Sequence, residues 1–93
     1  MLLAQKVATV LALATLAKSS KTRASLTEQA DAALALMAEG QSPLATATID
    51  AAASEGLHAL KREGWTSEGI ARAVDRELRN AKVVPTVKGR ATA

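Results

Sequence analysis

Alanine and leucine supply most of the apolar residues of this chain, and Trp65 is its one aromatic side chain. That imbalance restricts the fold more than any motif does. An alanine buries little area, and burial stabilises by roughly 25 cal/mol per Å² of apolar surface. A core built mainly from alanine is therefore thin unless its elements approach closely or another chain covers them. Apolar positions recur at helical spacing, no stretch alternates with period two, and β-branched residues do not cluster. The expectation is an all-α fold of four helices at about 2–18, 25–39, 43–63 and 66–82.

The 93 residues make one domain at most. Small scaffolds usually need a disulfide, a metal or a partner subunit. The absence of cysteine removes disulfides and thiolate metal sites. It fits a reducing compartment. The single histidine, His58, belongs to no zinc-binding spacing. Association with another chain is the remaining staple, and no cofactor or metal is expected.

The first helix shows where that association is expected. Leu2, Leu3, Val7, Val10, Leu11, Leu13 and Leu16 spread round most of its circumference, with Gln5, Lys6 and Thr9 as the polar strip. A helix apolar nearly all round is buried centrally or in an interface. Three further helices are too little protein to surround it, so Leu3, Val7, Val10, Leu11, Leu13 and Leu16 are the expected protein interface. Residues 25–83 then form a compact unit that folds without residues 1–18. A secretion signal is the competing reading of Met1–Ala17. The charged region at its start is weak, and a retained helix is preferred. The segment is too short, and interrupted too early, for a membrane span.

The remaining boundaries follow from capping chemistry. Ser19 to Arg23 reads as a polar joint, and Ser25-Leu26-Thr27-Glu28 as a capping box that opens the second helix. Gly40 and Gly64 are expected in the left-handed conformation that stops a helix. Ser42 before Pro43 is the expected cap of the third helix, whose Ala52 and Gly56 admit a close neighbour. A glycine in a helix interior costs roughly 1 kcal/mol relative to alanine, which implies a packing reason for Gly56. Thr66 caps the fourth helix, and Trp65 and Ile70 occupy hydrophobic-staple positions across that cap. Its stripe is Ile70, Val74, Leu78 and Ala81. The helix is expected to fade near Val83, before Pro85, leaving a basic tail over 84–93.

The formal net charge is +3 and the isoelectric point about 9.7. This permits contact with nucleic acid without requiring it. Arg72, Arg76, Arg79, Lys82, Lys88 and Arg90 are the residues placed to neutralise phosphates. An ordinary solvated face explains the same residues, since Glu68 and Arg72 stand four apart. The third and fourth helices have a loose likeness to a DNA-reading helix pair, but bulky Leu60 sits where a small residue is favoured and acids open the second helix. His58 has no nucleophile or paired carboxylate placed to work with it. Trp65 suits a binding anchor but has a sufficient task in the staple. The five glycines are too scattered for a phosphate loop.

These readings converge on a non-enzymatic helical structural or interaction protein, acting through assembly with itself or a larger protein assembly, inside the cell or within an assembled particle. A phage or virion component fits that description, although no motif identifies one. The alternative is a small basic nucleic-acid-binding or regulatory protein using the fourth helix and the tail. Secretion and membrane association are disfavoured.

Overall fold

The computed structural model describes the backbone of residues 2–92 and the side chains of residues 2–80. Four helices follow in order: α1 (Leu3–Leu16), α2 (Ser20–Ala38), α3 (Ser42–Arg62) and α4 (Ser67–Thr92). The fold is all-α. The structure corrects the placement of the first helix: α1 lies against each of the other three. It runs parallel to α3, and the Lys6–Asp50 ion pair at 3.2 Å lies between them, linking the polar strip of α1 to α3. The α2 and α3 helices are antiparallel neighbours, joined across their faces by Ser25, Gln29 and Glu55.

The core forms where α1, α2 and α3 meet. Val10, Leu13, Leu26, Ile49 and Leu60 are its largest fully buried side chains, and Ile70 adds a contribution from α4. Alanines 30, 33, 45 and 52 are fully buried between them and let the backbones come close. Gly56 has the packing reason its cost implied. A Cβ there would stand 3.1 Å from Leu13 Cδ1, 3.2 Å from Leu26 Cδ1 and 3.3 Å from Leu13 Cβ. Thr9 and Thr15 fit into the apolar α1 because each hydroxyl donates to the carbonyl four residues earlier.

Three boundaries differ from expectation. The second helix begins at Ser20, not Ser25. Ser19 is its cap, its hydroxyl accepting from the Thr22 N–H at 3.3 Å, so the expected polar joint is helical. The Glu63 carboxylate, at the end of α3, accepts from the Lys18 and Ser19 N–H groups at 3.0 and 3.4 Å. This contact between distant segments favours the earlier start. Ser25 instead donates to Glu55. Ser42 lies inside α3 with Gln41 as the cap position, because the Ala45 N–H already bonds the Gln41 carbonyl. Finally, α4 continues to Thr92, through Pro85 and the expected tail. A proline removes one backbone bond without forbidding helix on both sides of it.

The two stop signals are alike. Gly40 and Gly64 have φ of 78° and 101°. In each, the residue after the glycine donates back to a carbonyl five residues earlier (Gln41 to Leu36, Trp65 to Leu60), as a Schellman motif requires. The second of these turns ties the Trp65 N–H to the Leu60 carbonyl at 3.1 Å, and Trp65 packs against the core. Thr66 then caps α4 by accepting from the Gly69 N–H at 2.9 Å.

Candidate functional site

Of the six residues expected in an interface, Val7, Val10 and Leu13 are buried by this chain's own helices, and Leu3 and Leu16 are half-buried against the same core. Only Leu11 opens outward, at 38% exposure. The apolar circumference of α1 is thus satisfied largely within the chain.

The basic face of α4 is present but partly neutralised. Arg72, Arg76 and Arg79 are exposed. Arg72 pairs with Glu68 at 2.6 Å and Arg79 with Asp75 at 2.8 Å, each one helical turn apart. Exposed pairs of this kind add little stability, but each places a negative charge beside the guanidinium a phosphate would need. The side chains of Ala81, Lys82, Lys88 and Arg90 lie outside the described residues. His58 is exposed on α3. Among the described residues no three His, Cys, Asp or Glu side chains are grouped as metal ligands, and no helix is long and apolar enough to cross a membrane.

Two surface features emerge that the sequence did not point to. The first is an apolar groove of about 260 Å³ where α4 leans on α1 and diverges from α3. Leu13 lies at its base. Ala53 and Leu57 form the α3 wall, and Ile70, Ala71 and Val74 form the α4 wall. Thr9, Lys61 and Ser67 complete its lining. Leu57 is 39% exposed and Ala71 is exposed, so the groove is open to a partner. A smaller hollow, about 180 Å³, lies across α4 beside Ala8, Leu11, Ala12, Thr15 and Glu77.

The second feature is the end of the bundle where α1 stops, α2 starts, α3 stops and α4 starts. Glu63 ties the α1–α2 joint to the end of α3, so Lys18, Lys21 and Arg23 come to the same end as Lys61 and Arg62. All five are exposed. Lys21 and Arg62 line one hollow of about 340 Å³, with Thr22, Ser25, Glu55 and Ala59. Lys18 lines another of about 320 Å³, with Glu63, Gly64, Trp65, Thr66 and Gly69. In the sequence these cations are split between residues 18–23 and 61–62, and only the tertiary contact through Glu63 joins them. The adjacency of Lys61 and Arg62 at a helix end was visible, but with a sufficient explanation in the helix dipole.

No protein-family model, no curated protein and no solved structure matches this chain.

Proposed function

We propose that this is a non-enzymatic helical interaction protein that docks, on further copies of itself or on a larger protein assembly, through the groove between α1, α3 and α4. The observation that carries this reading is the groove's lining: Leu13, Ala53, Leu57, Ile70, Ala71 and Val74, contributed by three helices. An amphipathic helix laid into such a groove gains apolar burial at positions spaced three and four apart. Leu57 and Ala71 are its exposed apolar contacts. The interface moves from the surface of α1 to the groove because the chain already covers most of α1.

The nucleic-acid reading centred on α4 draws less support. Two of its three described arginines are engaged by Glu68 and Asp75.

Solution mass by light scattering behind a sizing column, at low and high salt, tests the self-docking form. A defined oligomer at both salts is expected, because apolar burial is not screened by salt. The double variant Leu57→Glu, Ala71→Glu should be a monomer with unchanged helical circular dichroism. A wild-type oligomer that survives both substitutions removes the groove from the reading. A wild-type monomer at all concentrations removes self-docking and confines the reading to a foreign partner.

A further inference from the structure

Lys18, Lys21, Arg23, Lys61 and Arg62 converge at one end of the bundle, and two observations distinguish them from an ordinary solvated face. The two carboxylates that line these hollows, Glu55 and Glu63, are held by neutral donors and form no ion pair with the cations. Glu63 accepts from the Lys18 and Ser19 N–H groups, Glu55 from Ser25 and Gln29, and Glu68 pairs with Arg72. Among the described residues none of the five cations is in an ion pair. Moreover, Lys21 and Arg23 stand in the first turn of α2, which contains no acid. The helix dipole is positive there and disfavours cations. Arg23 has a structural use, donating to the Ala17 carbonyl at 3.1 Å. Lys21 has no such use. A residue that opposes its local setting without a compensating contact, as Lys21 does, points to a demand from outside the fold.

Trp65 adds the second kind of chemistry. It is half-buried against the core, its backbone N–H is tied to the Leu60 carbonyl by the Schellman turn, and it lines the hollow beside Lys18. Gly69 has no side chain to cover the ring. A Cβ there would lie 3.6 Å from Trp65 Cε3. An aromatic face beside a cluster of cations is the pairing that single strands use, with bases stacked and phosphates neutralised.

We propose that this end of the bundle binds single-stranded nucleic acid, with backbone phosphates on Lys18, Lys21 and Arg62 and one base stacked on Trp65. An anionic membrane fits less well. Membrane-surface binding needs apolar side chains beside the cations, whereas Lys21 and Arg62 share their hollow with Thr22, Ser25, Glu55 and Ala59. Neither Lys21 nor Arg62 lines the groove of the preceding section, so the two readings stand or fall separately.

The test is titration of the full chain with a fluorescently labelled thymidine oligonucleotide, read by anisotropy and by the emission of Trp65, the only tryptophan. Binding at low salt is expected to weaken as salt rises, with a slope of about −2 in log K against log salt for three phosphate contacts to a single strand. The double variant Lys21→Glu, Arg62→Glu should lose at least tenfold in affinity and flatten that slope. Arg76→Glu, Arg79→Glu on α4, which reverses the same number of charges, should change affinity much less. Trp65→Leu should weaken binding about tenfold, in line with the loss of one stacked base. Circular dichroism of each variant separates loss of contact from loss of fold. The proposal is overturned by absence of binding at low salt, or by equal losses from the α4 pair. It is also overturned if binding leaves Trp65 emission unchanged, or if phosphatidylserine vesicles bind while the oligonucleotide does not.

Discussion

Gly56 is the residue on which the packing of α1 against α3 depends. Two opposing effects meet there. Replacing glycine by alanine in a helix interior gains roughly 1 kcal/mol of helix propensity. The new Cβ, however, would stand 3.1–3.3 Å from Leu13 and Leu26, both almost fully buried. The Leu13 Cβ cannot rotate away, since it is fixed to the α1 backbone, so α1 itself must shift. Overpacking a closed core typically costs about 1–3 kcal/mol, which outweighs the gain. Gly56→Ala should therefore lower the melting temperature, and Gly56→Val should lower it further. A thermal melt followed by circular dichroism decides the matter, and a rise for Gly56→Ala would show that α1 can yield at no cost. Leu13→Ala, which removes the other side of the same contact, should cost about 2–5 kcal/mol through the cavity it leaves. The need for a small residue at position 56 was legible from its cost in a helix. The identity of its partners was not, because spacing gives the face of a helix and not what lies across it.

At the scale of the elements, what could be read depended on whether the stop or start signal is local. The glycine stops at Gly40 and Gly64 and the Thr66 cap depend on backbone conformation within a few residues, and all three occur as the sequence indicates. The start of α2 does not. Ser19 and Ser25 are both acceptable caps, and the choice goes to Ser19, where a carboxylate from a residue more than forty positions away meets the same turn. The groove and the basic end belong to the same category, since each is assembled from three or more segments. This account makes Glu63 an element-scale determinant. Glu63→Ala should remove the acceptor for the Lys18 and Ser19 N–H groups and destabilise the chain by about 1 kcal/mol, the usual cost of a lost helix cap. Hydrogen exchange should locate the effect, with protection falling first at residues 18–23. Glu63→Gln keeps an acceptor oxygen and should lose less. Equal protection in wild type and Glu63→Ala would mean that Ser19 alone sets the start of α2.

For the whole molecule the decisive question is what covers α1. An all-round apolar helix requires cover, and periodicity cannot say whether that cover comes from the same chain or another. Here it comes from the same chain: α1 touches α2, α3 and α4, and contributes Val7, Val10, Ala12, Leu13 and Ala14 to the buried set. Close approach through alanine and Gly56 is what allows so few residues to surround it. This burial argues against the expectation that residues 25–83 fold alone. Removing residues 1–18 uncovers Leu26, Ile49, Leu60 and Ile70 on their α1 side, and a domain with a marginal stability of about 5–15 kcal/mol cannot lose the centre of its core. The truncated chain should show weakened helical signal and no cooperative thermal transition, and a peptide of residues 1–18 added in trans should restore both. If the truncated chain instead melts sharply on its own, the remaining three helices hold a core without α1, and the chain would then have an apolar helix free to join another molecule. Restoration by the peptide would establish the opposite arrangement, in which α1 is the element around which the other three pack, and association with partners falls to the surfaces those three leave open.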